Sequence, residues 1–145
     1  MSIIETINES WNWAGLAPES IVVDNKFGNV IVKDIDGAYW RICPEEAEVN
    51  IIASSEEQLK SMWDDEDFRV DWLMSNLVEE AENKFGELAD GRKFCLKVLG
   101  VLGGEYDISN VGTISFDELI SFSGHVAKEI DGLPDGSQIQ FDLCE

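Results

Sequence analysis

Between Ser20 and Ser54 the chain presents three or four short strand-like runs, SIVVDN, NVIVKD, GAYWRICP and EVNIIAS, and this segment limits the fold more than any other. The first two runs are divided by Lys26-Phe27-Gly28-Asn29, the next two by Asp34-Ile35-Asp36-Gly37. Each gap holds the Gly and the Asn or Asp that tight hairpin turns require. The pattern predicts an antiparallel meander, and its alternation predicts one buried face.

Helical periods flank the meander. Ile3, Ile4, Ile7, Trp11 and Ala14 share a helical face until Gly15 and Pro18 break the pattern. Ser54-Ser55-Glu56-Glu57 supplies a serine cap and first-turn carboxylates for a helix whose buried side is Leu59, Met62 and Trp63. A further helix is expected from about Asp67 to Phe85, with Val70, Leu73, Met74, Leu77, Val78 and Ala81 as its apolar stripe. GRKFCLKVL then reads as a strand, Phe116 to Ile130 as a helix, and SQIQFDLC as a closing strand. Without a regular βαβ alternation, the fold class is α+β: an antiparallel sheet packed with amphipathic helices, in a single domain over 1–145. A chain of 145 residues, 44% hydrophobic with five Trp and seven Phe, has enough apolar surface for such a core.

Charge narrows the function. Ten Lys plus Arg against 30 Asp plus Glu leave a net charge of −20. Between Glu45 and Asp90 stand 15 acidic and three basic residues, so that window alone carries −12. A surface of this sign repels nucleic acid and anionic lipid and favours a cationic protein partner. Cys43, Cys95 and Cys144 show neither a disulfide framework nor zinc spacing, and two of them are expected as buried thiols. The N-terminus lacks the pattern of a signal peptide, and no apolar run approaches membrane-spanning length. The expected location is the reducing cytoplasm.

Catalytic patterns are weak throughout. His125 is the only histidine, and no GxSxG elbow accompanies it. The stretch Asp131 to Asp142 puts Leu133 and Pro134 where a calcium loop needs ligands and flexibility. The glycines at 100, 103 and 104 precede Glu105 rather than the Lys-Ser/Thr of a phosphate loop. No catalytic residue, cofactor or metal is expected.

The segment Leu102-Gly103-Gly104-Glu105-Tyr106-Asp107 with Asn110, followed by a strand, a helix and Leu133-Pro134-Asp135-Gly136, resembles the C-terminal domain of bacterial type VI secretion immunity proteins. That family is often found beside GAD-like domains. GAYWRICP, IIASSEEQL and the Trp63–Phe68 region resemble its first half. The resemblance implies a non-enzymatic cytosolic antidote that binds a cognate effector toxin, with nucleases and NAD-degrading enzymes among the targets of relatives. An acidic antidote suits a cationic active-site cleft and gains association rate from it. The candidate partner-binding carboxylates are Asp64, Asp65, Glu66 and Asp67, then Glu105 and Asp107. Trp63, Phe68 and Tyr106 are candidate anchors. Trp63 and Phe68 suit a helical core better than an interface, and the LGGEYD glycines and Asp107 suit a turn better than a contact surface. Two rivals stand beside this reading: a small acidic nucleotide-binding domain or enzyme, and a housekeeping interaction module.

Overall fold

The computed structural model describes residues 2–132. The closing strand expected at 137–144, the LPDG turn at 133–136 and Cys144 lie outside the described residues.

Helix α1 (Ile3–Trp11) is capped by Ser2 and runs into a 3-10 turn at Asn12–Ala14. Strands β1 (Pro18–Asp24), β2 (Val30–Asp34), β3 (Tyr39–Cys43) and β4 (Glu48–Ala53) form the meander in sheet order β1-β2-β3-β4, antiparallel throughout. Gly28 and Gly37 take positive φ in its first two turns, as the sequence leads one to expect. Helices α2 (Glu56–Asp64), α3 (Glu66–Leu73) and α4 (Ser75–Phe85) follow, then β5 (Arg92–Leu96) and β6 (Val111–Ser115), which pair antiparallel as a second sheet. Helix α5 (Phe116–Asp131) completes the α+β arrangement, its N-terminus capped by Ser115.

Both faces of the meander are covered. On one face Val30, Val32 and Ile42 pack with Ile7 and Trp11 of α1 and Ile120 and Ala127 of α5. The two helices approach closely because α5 carries Gly124, where a Cβ would lie 2.5 Å from the Ser10 carbonyl oxygen. The Trp11 indole donates to the Ile120 carbonyl at 3.1 Å, which ties the same pair. On the other face Ile31, Tyr39 and Ala53 pack against Leu59 of α2 and Trp72 of α3. Helix α4 covers the small sheet through Ala81 against Phe94, Leu96 and Val111.

The expected helix from 67 to 85 is two helices. Met74 sits in the left-handed region with φ 48°, ending α3 and starting α4. The change of direction divides the expected stripe. Met74, Leu77, Val78 and Ala81 pack toward the small sheet, whereas Val70 and Leu73 are 65% and 56% exposed. The inward residue of α3 is instead Trp72, 3% exposed. A second correction concerns Cys95, which is buried but disulfide-bonded rather than a free thiol.

Candidate functional site

Strand β3 ends at Cys43, and Pro44 opens a 3-10 turn, Pro44–Glu46, closed by Ala47 with φ 49°. This tight turn points two successive glutamates in different directions. Glu45 goes inward and is 4% exposed; Glu46 goes outward to Tyr106, whose hydroxyl donates to it.

A buried carboxylate must find donors. Asn29, fully buried at the end of the first hairpin turn, donates its side-chain amide to Glu45 Oε1 and Oε2 at 2.9 and 2.8 Å. The Cys43 thiol donates to Glu45 Oε1 at 3.0 Å. The Asn29 side-chain oxygen accepts from Arg41 Nε and Nη2 at 3.2 and 2.9 Å. Arg41 in turn donates from Nη1 to Asp71 at 3.2 Å and lies 5.0 Å from the centroid of the Trp72 ring. The chain of contacts therefore joins the β1–β2 turn, β3, the 3-10 turn and α3.

The protonation states follow from this burial. Loss of water raises the Glu45 carboxyl above the usual glutamate range, with the Cys43 and Asn29 hydrogen bonds opposing the shift. Burial and the neighbouring Glu45 charge push the Cys43 thiol far up, so it is a hydrogen-bond donor and not a thiolate nucleophile. Tyr106 is likewise held in its neutral form, by burial first and by its bond to Glu46 second.

This network lies beneath a groove of about 950 Å³ between the β3–β4 ribbon and the α3–α4 junction. Its charged lining is Glu45, Glu46, Glu48, Glu66 and Asp71 against Arg41 and Arg69, and Val70 and Leu73 contribute exposed apolar surface. A concavity with buried polar groups, shifted acidities and apolar walls has the make-up of a binding site.

The structure brings together two of the residues singled out by sequence, since Glu66 and Tyr106 both line the groove. Asp64, Asp65 and Asp67 are exposed beside Glu66 at the α2–α3 junction, where Asp65 also caps α3 by accepting from the Asp67 N–H at 2.9 Å. Trp63 and Phe68 are half-buried, 5.0 Å apart edge to face, and packed on the Trp72 cluster. Glu105 and Asp107 are exposed. The Asp107 carboxylate accepts from the Ser109 N–H at 2.9 Å and from its hydroxyl, and these bonds hold its carboxyl below the usual aspartate range. Asn110 fixes the same loop, exchanging hydrogen bonds with both backbone groups of Val98 and donating to the Glu105 carbonyl. A Cβ on Gly104 would strike the Val98 carbonyl. The glycine pair, Asp107 and Asn110 thus hold the turn that presents Tyr106 to Glu46.

Sequence reasoning passed over Asn29, Arg41, Glu45, Glu46, Glu48, Arg69 and Asp71. The legible clue was Glu45 beside Pro44 directly after an apolar strand. Among the described residues no helix is long and apolar enough to cross a membrane.

Residues 53–127 match the family model described as T6SS immunity protein Tdi1, C-terminal. No curated protein matches the chain. Among solved structures, that of Atu4351 from Agrobacterium tumefaciens superposes with a TM-score of 0.56 at 15% identity. The match covers 83% of the present chain and 62% of that one, so the chain spans about three fifths of its length. At that identity the likeness concerns the fold alone.

Proposed function

The chain belongs to the type VI secretion immunity family of the Tdi1 C-terminal domain, and from that premise we propose that it neutralises its cognate effector toxin by covering a cationic active-site cleft with the acidic groove and the adjoining α2–α3 junction. The toxin is on this reading a nuclease or an NAD-degrading enzyme, because either must present positive charge to an anionic substrate. The antidote works as one domain, and it binds rather than catalyses. The observation that carries the proposal is the composition of the groove, five carboxylates to two guanidinium groups with Tyr106, Val70 and Leu73 beside them. Charge of one sign around a concavity steers an oppositely charged partner, lifting association from roughly 10⁵–10⁶ M⁻¹s⁻¹ toward 10⁸ or more at low salt. Apolar and aromatic surface within it supplies the contacts that slow dissociation.

Co-expression with the toxin encoded by the adjacent reading frame tests the proposal. Growth arrest by the toxin alone and rescue by this chain, with a stable complex, is the expected result. The double change Asp64→Lys and Asp67→Lys leaves the Asp65 cap in place and should slow association several-fold while flattening its salt dependence. A toxin that this chain neither binds nor neutralises refutes the immunity reading. Unchanged association kinetics in the double variant move the interface away from the α2–α3 junction.

A further inference from the structure

Strand β4 closes one side of the four-stranded sheet and, among the described residues, pairs with β3 alone. Among the described residues no backbone hydrogen bond outside that ladder reaches Glu48–Ile51. An open strand edge is a template for another strand, and natural sheets blunt such edges with bulges, proline or charge. The opposite edge, β1, is blunted by Pro18 and two register irregularities. Strand β4 has one irregularity, at its Ile52 end, and Glu48 to Ile51 runs in regular register beside it. Within that stretch Ile51 is 56% exposed.

The surroundings of this edge differ on its two sides. Glu48 and Asn50 line the acidic groove and also a second groove of about 510 Å³. The second groove is walled by Trp13, Trp40 and Val49. The edge of β4 therefore runs between an acidic trough and a tryptophan-lined one. Successive side chains of a strand point to opposite faces, so a strand laid along β4 would send alternate side chains into each trough.

We propose that the free edge of β4 receives an extended segment of the effector toxin as an added strand, basic side chains entering the acidic groove and apolar ones the tryptophan groove. Main-chain pairing supplies affinity in such additions, and the flanking pockets supply selectivity. The excess of carboxylates in the groove selects a basic segment. It also argues against a second copy of this chain, which would bring another −20 to the same place. The inference rests on the immunity reading.

Amide hydrogen exchange on the full chain, alone and with the toxin domain from the adjacent reading frame, reads the edge directly. Outward-facing amides among residues 48–51 should exchange at least about tenfold more slowly in the complex. Ile51→Lys, at an exposed position that the fold tolerates, should weaken Kd about tenfold. Ile35→Lys, on the exposed β2–β3 turn and outside both grooves, should leave Kd unchanged. A complex that forms with the β4 amides still fast overturns the docking mode and leaves the immunity reading standing. Protection already present in the free chain, whether from a second copy or from residues 133–145, overturns the docking mode as well. Failure of the unaltered chain to bind or neutralise the toxin overturns both.

Discussion

Replacing Asn29 by alanine removes a single amide on which two charged groups depend. Glu45 loses its donors at 2.9 and 2.8 Å, and Arg41 loses the acceptor it reaches at 3.2 and 2.9 Å. Glu45 is 4% exposed and would keep only the Cys43 thiol as a side-chain donor among the described residues. Leaving a buried carboxyl without these donors costs about 1–3 kcal/mol, and more where it is charged. Arg41 is partly exposed and retains Asp71, so its loss adds little to that figure. Against a total stability of about 5–15 kcal/mol, the change is large but leaves a folded protein to measure. With a urea slope of about 2 kcal/mol per molar, the unfolding midpoint should fall by about 0.5–1.5 M.

The pH dependence separates this cause from simple loss of packing. Burial already raises the Glu45 carboxyl, and Asn29 opposes that shift, so the variant's carboxyl should rise further. A carboxyl raised in the folded state stabilises most below its unfolded value, and that contribution is lost as pH rises through the folded value. The destabilisation by Asn29→Ala should therefore shrink as pH falls through the folded-state titration of Glu45, where protonation removes the unpaired charge. A loss under about 1 kcal/mol on the alkaline side of that titration, or one independent of pH across it, refutes the account of the network.

Two further substitutions probe the parts that shape the groove. Gly104→Ala forces a Cβ onto the Val98 carbonyl and should cost about 1–3 kcal/mol, read as a lowered melting temperature; an unchanged melt would show that the loop has room. Trp72→Ala removes the ring shared by Trp63, Phe68 and Arg41 and should cost about 3–5 kcal/mol in urea unfolding, whereas a loss under about 1 kcal/mol would place the core of that face elsewhere.

Where local chemistry decides structure, the sequence was readable. Gly28 and Gly37 marked turns that need positive φ, and Ser55 marked a helix start by accepting from the N–H three residues on. The break at Met74 had no such mark. No glycine or proline stands between Glu66 and Phe85, and a methionine in the left-handed region is held there by tertiary packing. Propensity favoured a continuous helix, and the separate demands of Trp72 on the meander and Ala81 on the small sheet overrode it.

The same distinction explains which candidate residues were legible in the sequence. Exposed acidity announces itself by number, so Glu66 and its neighbours were found as a run. Glu45 stood among acidic residues in sequence and differs from them only in being covered. Its partner Asn29 is 16 positions away and read as a turn residue, which it also is. The antiparallel register of β2 against β3 sets Val30 opposite Ile42, and that pairing carries the side chain of Asn29 to the turn that follows Cys43. Arg41 reaches the same amide from within β3, and Asp71 meets it from α3. The groove therefore depends on one strand register and one helix break, and a chain that kept its −20 charge but lost either would keep its charge without that shaped surface.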